Sequence, residues 1–378
     1  EHAAFAAFAA GTDWSRLAVL AHHTHFDGLI LAHHYGVRPA LWLCTLSMAR
    51  ALHGTEVGGS LKKLADNYGL PEKGHEVTLA IGKRREHFSH EEWLRYGVYS
   101  CHDSNLCRGL FERFLQAGFP EAELYVIDST VRMFTEPRML VDEPLLEKFL
   151  IDEQRRKQDL IARLFGIGCD SPEQAAALRA MPNPGDNTEI IRGMLASNDK
   201  FAQALFDLGE VPPTKISPRT GKESWAFAKT DPGMQALLEH PAEEIRWLAE
   251  ARIGVKSTIN ETRTQRFLSA GVDGRPMPFY LKYCGAHTGR WSGGDKMNPQ
   301  NLVRGGVLRS SLLAPPRHAV VLCDSAQIEA RMTAWLAQHT ELVDAFLRRE
   351  DPYCKFATVA FGKPVAKEDK RERLLGKY

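Results

Sequence analysis

The sequence predicts an α/β protein built from several domains. Its 378 residues exceed what one hydrophobic core usually holds, so two or three domains are expected. Near the N-terminus short apolar runs alternate with helical segments, an order typical of a layered α/β domain. From about residue 142 charge-rich helices follow, and the segment 319–336 returns to the order strand, turn and helix.

Composition and charge exclude several classes of protein. With 44% hydrophobic and 25% charged residues, the chain has the composition of an ordinary soluble protein. The net charge of +1 gives no overall basic field, so any nucleic-acid binding must come from local patches. Seven scattered cysteines without C-x-x-C spacing argue against a disulfide framework or a zinc site and favour a cytoplasmic location. No apolar run is long enough for a transmembrane helix.

Residues 319–336 place two acids where a strand meets a helix. The apolar run 319–323 predicts a buried strand, Asp324 ends it, and Glu329 lies in the first turn of the helix that follows. A strand tip is open to solvent and a helix N-terminus offers unpaired N–H groups, so metal and phosphate sites favour this position. An ordinary strand–turn–helix unit, with an acid in its first helical turn, explains the pattern equally well.

A similar strand–turn–helix unit lies at 17–35, and Asp27 ends its turn. Three histidines, His22, His23 and His25, precede this acid. His22 and His23 are adjacent and would point to opposite faces of a strand. We therefore do not expect them to bind a metal together.

A long amphipathic helix is predicted at 91–116. It carries Tyr99 and Asp103, which are four residues apart and share one face. Taken alone, these two residues fit an ordinary surface Tyr–Asp pair. Residues 123–128 fit either a strand or the start of a helix, and the prolines within 211–222 predict that this stretch forms no regular element.

Two further segments could contact phosphates. The helical region 232–269 carries Lys256, Arg263 and Arg266 at spacings that can form one stripe, and a solvated helix face is the alternative. The segment 285–302 is rich in glycine and in hydrogen-bond donors, so its backbone can approach a ligand closely. A disordered linker is the alternative there.

These motifs, in this order, resemble those of family A DNA polymerases. Thr288-Gly-Arg-Trp-Ser292 is similar to the T-G-R-x-S element of that family, and Gln300-Asn301-Leu302 to its Q-N element. The segment 324–331 resembles motif A, which is usually D-[YF]-S-x-I-E-x-R. Asp351-Pro352-Tyr353 resembles the segment that follows, and Arg373-Leu-Leu-Gly-Lys377 the start of motif B, R-x-x-x-K.

The N-terminal motifs resemble the proofreading 3′–5′ exonuclease of the same family. Phe26-Asp27 is similar to its second motif and Tyr99-x-x-x-Asp103 to its third. By this resemblance Asp27 and Asp103 would bind metal, and the Tyr99 phenol would orient the attacking water. Lys256-Ser257-Thr258 and Thr220-Gly221-Lys222 look like the thumb and its neighbouring turn in phage-type members.

The resemblance implies a multi-domain α/β fold with three parts. These are an RNase H-like exonuclease layer domain at 1–141, a mainly helical thumb at 142–275, and the start of an α+β polymerase palm and fingers at 276–378. The implied function is template-directed DNA synthesis with 3′–5′ proofreading in DNA replication. Two Mg²⁺ ions per active site, for which Mn²⁺ can substitute, would assist in-line displacement at phosphorus. Primer–template DNA and dNTPs are the implied partners, and no processivity factor is identified.

The resemblance also implies roles for residues of the palm and its neighbours. Asp324 and the backbone carbonyl of Ser325 would bind metal, and Glu329 would close the pocket beneath the sugar and disfavour a 2′-OH. The implied dNTP-binding residues are Glu329, Gln327, Arg373 and Lys377. The implied DNA-binding residues are Thr288, Arg290, Gln300, Asn301, Lys256 and Arg263.

The sequence departs from the family pattern at several positions. Ser325 stands where an aromatic residue is usual, and His23 where the exonuclease motif has Asn. The first exonuclease motif, D-x-E, does not precede Asp27, and the acids of motif C are expected beyond Tyr378, so we expect an internal fragment of a longer polymerase. A fragment that only binds nucleic acid and a stand-alone RNase H-like nuclease are the alternatives, and the motifs at 288–377 argue against the nuclease.

Overall fold

The computed structural model describes residues 2–164, 186–217, 220–295 and 298–376. The chain divides into two compact units, Glu1–His318 and Ala319–Tyr378. The described residues are mostly helical and include four two-stranded sheets, which agrees with the predicted α/β class. No helix within these ranges is long and apolar enough to cross a lipid bilayer.

The first unit begins with a layer of two strands and six helices. These are α1 (His2–Gly11), β1 (Ala18–Ala21), α2 (Thr24–Tyr35), β2 (Leu41–Cys44), α3 (Thr45–His53), α4 (Leu61–Asn67), α5 (His90–Gln116) and α6 (Glu121–Thr135). β1 and β2 pair in parallel, and parallel neighbours need a crossover, which α2 supplies. Gly28 lets α2 pack closely, because a Cβ atom there would lie 3.0 Å from Thr135 and 3.4 Å from the Trp42 ring.

Helix α5 confirms the predicted long helix, and local sequence signals explain it. A capping box starts the helix: the Ser89 hydroxyl accepts the Glu92 N–H at 3.2 Å, and the Glu92 carboxylate accepts the Ser89 N–H at 2.8 Å. Leu106, Leu110 and Phe114 follow at helical spacing and are almost fully buried. They pack into the core of this layer.

Helix α6 contains residues 123–128, so this segment is helical and not a strand. The Asp128 carboxylate accepts the backbone N–H of Trp42 at 2.7 Å and the Nε–H of Arg132 at 2.8 Å. Arg132 also donates to Glu136 at 2.7 Å. A side chain of α6 thus accepts the Trp42 N–H of β2, and β1 is the sole strand that pairs with β2 among the described residues.

A largely helical region follows. It comprises β3 (Leu140–Val141), α7 (Glu143–Ala162), α8 (Asp186–Ala196), α9 (Asn198–Asp207), β4 (Thr214–Ile216), β5 (Glu223–Trp225), α10 (Pro232–Leu238), α11 (Glu243–Lys256) and α12 (Ile259–Gly271). Its core includes Ile161, Leu195, Phe201, Leu205, Met234 and Leu248. The prediction that 211–222 forms no regular element is wrong, because β4 pairs antiparallel with β5. Pro212 and Pro213 precede the paired residues, so neither removes a hydrogen bond from the ladder.

The last part of the first unit contains two small antiparallel pairs. Its elements are β6 (Leu281–Lys282), β7 (Ser292–Gly293), α13 (Val307–Ser310) and β8 (Leu312–Leu313). β6 pairs with β7, and β8 returns to pair with β3. Val141, Leu146, Phe267, Met277 and Leu302 share one apolar cluster. The described part of the glycine-rich segment is therefore held by packing and pairing, which disfavours the linker alternative.

The second unit consists of four helices within its described residues. These are α14 (Ile328–Leu336), α15 (Thr340–Leu347), α16 (Pro352–Phe361) and α17 (Lys370–Leu375). The predicted buried strand at 319–323 is wrong: the segment has no regular structure, and Val321 and Leu322 are 86% and 80% exposed. A strand needs a neighbour for its backbone groups, and the described part of this unit offers none. The helix predicted to follow is confirmed as α14.

Candidate functional site

Asp27 lies at the junction of strand and helix that the sequence predicted. It occupies the first turn of α2, and His23, with a left-handed backbone at φ 75°, turns the chain from β1 into this helix. Burial of the carboxyl raises the pKa of Asp27, while its own backbone N–H and the nearby His23 oppose that shift. The carboxyl therefore sits in a partly desolvated recess although the residue keeps exposed surface.

The three histidines of this turn contact different partners. His22 Nδ1 lies 2.9 Å from Thr45 Oγ1, and His23 Nε2 lies 2.6 Å from the hydroxyl of Tyr280. The His25 ring packs edge-on against Tyr280 with centroids 4.8 Å apart, and burial lowers the pKa of His25 to about 4. These contacts hold the turn against α3 and against the segment that leads into β6.

Tyr99 and Asp103 share one face of α5, as predicted, and both contact Lys73. Lys73 Nζ lies 2.5 Å from Asp103 Oδ2 and 2.5 Å from the Tyr99 hydroxyl. Burial alone would lower the pKa of Lys73, but these two hydrogen bonds raise it. The other carboxylate oxygen, Asp103 Oδ1, is buried and has no hydrogen-bond partner among the described residues. Tyr99 and Asp103 are thus part of a three-residue cluster and not an isolated surface pair.

Asp27 and Asp103 both lie close enough to Cys107 to influence the pKa of its thiol. Burial raises the pKa of the Cys107 thiol to about 11, and both carboxylates add to this increase. Cys107 Sγ lies 3.3 Å from Thr45 Oγ1, between α3 and α5. Carboxylate oxygens fit Mg²⁺, and the unpaired Asp103 Oδ1 is a suitable ligand atom. In the part of the chain that the structure describes, however, no three His, Cys, Asp or Glu side chains form a complete metal site.

The hairpin of β6 and β7 exposes Thr288 and Arg290. Two aromatic side chains anchor it to α6: the Tyr283 hydroxyl donates to Glu123, and Trp291 Nε1 donates to a threonine hydroxyl at 3.0 Å. Neither anchor has a local sequence signal, because both depend on partners on α6. Because Tyr283 and Trp291 fix the base of the hairpin to α6, its tip of mostly small polar residues is held in place while it faces solvent.

Gln300 and Asn301 lie exposed on a short 3₁₀ turn, Pro299–Asn301. Asn298 starts this turn, and its side-chain oxygen accepts the Gln300 N–H at 3.0 Å. Leu302, directly after the turn, is buried in the apolar cluster of α7 and α12. The two amide side chains are therefore held at the surface by a buried neighbour.

The predicted single stripe of Lys256, Arg263 and Arg266 is wrong. The residue after Lys256 has an extended backbone, so the helix breaks and the three cations are divided between α11 and α12. Lys256 Nζ lies 3.1 Å from Asn198 Oδ1, and Arg266 forms an ion pair with Asp295. Lys256 and Arg263 remain predicted DNA-binding residues, on separate helices.

In the second unit, Asp324 and Ser325 lie in an exposed loop before α14. Gln327 has a left-handed backbone at φ 58° and directly precedes the helix. Glu329 occupies the first turn of α14, where the sequence predicted it. The Asp324 carboxylate has the chemistry of a Mg²⁺ ligand. Glu329 lies five residues later, on helix α14 and not in the loop.

The two C-terminal motifs of this unit are in contact. Arg373 Nε donates to Asp351 Oδ2 at 2.8 Å, and the guanidinium lies 5.4 Å from the centroid of the Tyr353 ring. The Asp351 carboxylate also caps α16 by accepting the Tyr353 N–H at 3.0 Å. Lys377, the second predicted triphosphate contact, lies outside the described residues.

Known proteins resemble this chain in sequence and in fold. The chain is 27% identical over 193 residues to the thermostable DNA polymerase I of Thermus thermophilus, an alignment that covers 48% of this chain and 22% of the relative. It is 27% identical over 278 residues to DNA polymerase I of Pseudomonas aeruginosa, covering 71% of this chain and 28% of the relative. No protein-family model matches the sequence.

A solved structure shares the fold: the POL domain of Pol1 from M. smegmatis, in complex with DNA primer-template and dNTP. The TM-score is 0.63 over 99% of this chain and 59% of that chain, at 19% identity. The resemblance to family A DNA polymerases is confirmed. The match to the polymerase domain extends over both units of the chain, whereas the sequence alignments span 22% and 28% of the two DNA polymerase I relatives. Similarity to family A polymerases therefore concerns a part of those proteins.

The buried His25 predicts a pH dependence of stability. Because its pKa is about 4 in the folded protein, against an ordinary value of 6.5, the unfolded chain binds the extra proton first as the pH falls. Proton uptake by His25 in the unfolded chain should therefore lower the free energy of unfolding by about 3 kcal/mol between pH 6.5 and pH 4. Urea unfolding at several pH values should show a smaller acid loss for His25→Gln than for wild type. His33→Gln, an exposed position on the same helix, should follow wild type, and equal slopes for all three would contradict the prediction.

Proposed function

We propose that this chain is part of a template-directed DNA polymerase with a 3′–5′ proofreading exonuclease. In this proposal residues 1–141 are the exonuclease domain, 142–275 the thumb, and 276–378 the palm and the start of the fingers. The observation that carries the proposal is the fold match to a polymerase domain over 99% of the chain, together with polymerase motifs in the expected order. The two DNA polymerase I relatives support it.

The acidic residues of the second unit would serve nucleotidyl transfer. Asp324, with the backbone carbonyl of Ser325, would hold Mg²⁺, which when bound supplies charge stabilisation at the reacting phosphorus oxygens. Glu329 stands on α14 and would exclude a 2′-OH by occupying the space beneath the sugar. Because α14 is a regular helix, this carboxylate is held on a rigid element, as a discriminating group requires.

A cation of the second unit would contact the dNTP triphosphate. Arg373 now pairs with Asp351, and a triphosphate offers the same guanidinium a stronger, multiply charged acceptor. Gln327 and Lys377 are the further proposed contacts of the nucleotide. Binding of dNTP would then break or rearrange the contact between Arg373 and Asp351.

The exposed polar residues of the first unit would position primer–template DNA. Thr288 and Arg290 at the hairpin tip, and Gln300 and Asn301 on the 3₁₀ turn, present donors that suit phosphate and minor-groove acceptors. Lys256 and Arg263, on two further helices, would add backbone contacts. Such contacts fix the register of a duplex without reading its sequence, which a polymerase needs.

The N-terminal layer would carry the proofreading site. Asp27 and Asp103 would hold Mg²⁺, and the Tyr99 hydroxyl would orient water at the scissile phosphate. The support is that both carboxylates raise the pKa of Cys107 and that Asp103 Oδ1 has no hydrogen-bond partner within the described residues. Hydrolysis also requires further ligands, because these two acids do not complete a metal site within the described residues.

Loss of the Asp324 carboxylate should abolish synthesis. Full-length protein carrying Asp324→Ala should extend a primer more than about 100-fold more slowly than wild type, because one preorganised electrostatic group is lost. Asp344→Ala removes an exposed acid from α15 and serves as the matched control, which should extend normally. Normal extension by Asp324→Ala would refute the catalytic assignment. Tight DNA binding without any extension by wild type would favour the alternative, a module that only binds nucleic acid, which the incomplete metal sites also suggest.

Loss of the Glu329 side chain should relax discrimination between sugars. The ratio of kcat/KM for a dNTP to that for its ribonucleotide should fall about tenfold or more in Glu329→Ala, because the excluding group is gone. Glu341→Ala is the control, since Glu341 occupies the equivalent first turn of α15. An unchanged ratio in Glu329→Ala, with normal extension of DNA, would count against the role of Glu329.

A further inference from the structure

The Lys73 ammonium pairs with one oxygen of the Asp103 carboxylate, and the other oxygen is buried without a hydrogen-bond partner among the described residues. It lies 2.5 Å from Asp103 Oδ2, 2.5 Å from the Tyr99 hydroxyl and 4.4 Å from the centroid of the Tyr99 ring. The side chains of Lys73 and Asp103 are only 19% and 25% exposed, so solvent screens this pair less than a surface ion pair. Lys73 belongs to none of the motifs that resemble the exonuclease.

Lys73 is carried by a loosely packed connection between α4 and α5. The connection, residues 68–89, contains two short 3₁₀ turns, Glu76–Ala80 and Arg85–His87, and neither holds a buried residue. Leu79 and Ile81 are 66% and 79% exposed. Apolar side chains pack against the layer at both ends of this connection, so only the stretch between them is held by few apolar contacts. Local opening of that stretch should cost little compared with unfolding of the layer.

Two contacts nevertheless direct Lys73 towards α5. His102 Nε2 lies 2.8 Å from the Glu72 carbonyl, next to Lys73 in the chain. Gly74, on its other side, packs so closely that a Cβ atom would lie 3.0 Å from the Tyr99 ring. Contacts of the residues on both sides of Lys73 therefore hold it over Tyr99 and Asp103.

We propose that Lys73 is a positioning residue of the exonuclease site, an internal cation that competes with the divalent ion for Asp103. The proposal rests on the proposed proofreading function. A divalent ion bound at about 2.1 Å from Asp103 Oδ1, the unpaired oxygen, would share one carboxylate with the ammonium on Oδ2, and the two cations would repel each other. Lys73 would therefore leave Asp103 when the 68–89 connection opens, and until then its ammonium keeps the Asp103 and Tyr99 side chains aligned.

Mn²⁺ affinity distinguishes competition from a merely structural role. The full-length protein carrying Asp324→Ala, which removes the proposed palm ligand, would be titrated with Mn²⁺ while free Mn²⁺ is followed by electron paramagnetic resonance. Adding Asp103→Asn should remove one bound ion and so identify the exonuclease ion. Adding Lys73→Gln should raise the affinity for that ion about fivefold, which corresponds to the free energy of one partly exposed ion pair.

Lys62→Gln is the matched control, because it removes a lysine that pairs with the neighbouring Glu72, at 3.9 Å, without contacting Asp103. Its Mn²⁺ affinity should stay at the wild-type value. Unchanged or weaker binding in Lys73→Gln would overturn the competition, while the loss of an ion in Asp103→Asn would still support the metal site. If Asp103→Asn loses no ion, the metal-binding role of Asp103 fails, and this inference fails with it.

Hydrogen exchange gives a second readout that needs no variant. Addition of Mn²⁺ to the wild-type protein should speed amide exchange within 68–89, because the connection would lose the contacts of Lys73 with Asp103 and Tyr99. Exchange within the C-terminal half of α5 should stay slow. Slower or unchanged exchange of 68–89 would mean that Lys73 stays in place when the ion binds, and would overturn the proposal.

Discussion

The polar contacts of helix α6 hold strand β2 and the β6–β7 hairpin in place. On one side Asp128 accepts the backbone N–H of Trp42 at 2.7 Å and so fixes β2. On the other side Glu123 accepts the Tyr283 hydroxyl, and Thr130 accepts the indole N–H of Trp291 at 3.0 Å. Strand β2 and the β6–β7 hairpin, which presents the proposed DNA contacts, therefore both depend on one helix.

This dependence has an energetic reason. A two-stranded sheet leaves backbone groups unpaired along its outer edges, and a buried unpaired N–H costs about 1–3 kcal/mol. Asp128, supported by Arg132 at helical spacing, supplies the missing acceptor for β2. A third connection runs from the His23 ring to the Tyr280 hydroxyl, just before β6. The turn that carries Asp27 and the segment leading into the β6–β7 hairpin are therefore joined by a direct side-chain contact.

The parts of the fold that local sequence determines could be predicted. Helix α5 has its start encoded by Ser89 and Glu92 and its buried face by a regular apolar spacing, so both appear in the sequence. The segment 319–323 has an equally clear apolar pattern, but a strand exists only when another strand pairs with it. Whether such a partner is present depends on residues distant in the chain, and no local pattern reveals it. The same limit explains why residues 123–128 fitted two structures.

In the candidate sites too, local spacing could be predicted from the sequence and contacts between distant residues could not. The four-residue spacing of Tyr99 and Asp103 correctly placed them on one face of a helix. Lys73 lies 30 positions before Asp103 in an aperiodic connection, and its contact follows from tertiary packing alone. Arg252 lies on the same helix as Lys256, yet it is 1% exposed and donates to the Ser197 carbonyl at 3.1 Å. A charged residue can be internal when backbone carbonyls surround it, and sequence spacing does not report them.

Template direction is the central claim, and the affinity for DNA in the presence of nucleotides tests it most directly. The full-length protein would be bound to a primer–template whose primer ends in a dideoxynucleotide, with each of the four dNTPs added in turn. We expect the dNTP complementary to the template base to tighten DNA binding at least about tenfold more than the other three, a difference of about 1.4 kcal/mol. Equal effects of all four dNTPs, or no effect of any, would contradict the account.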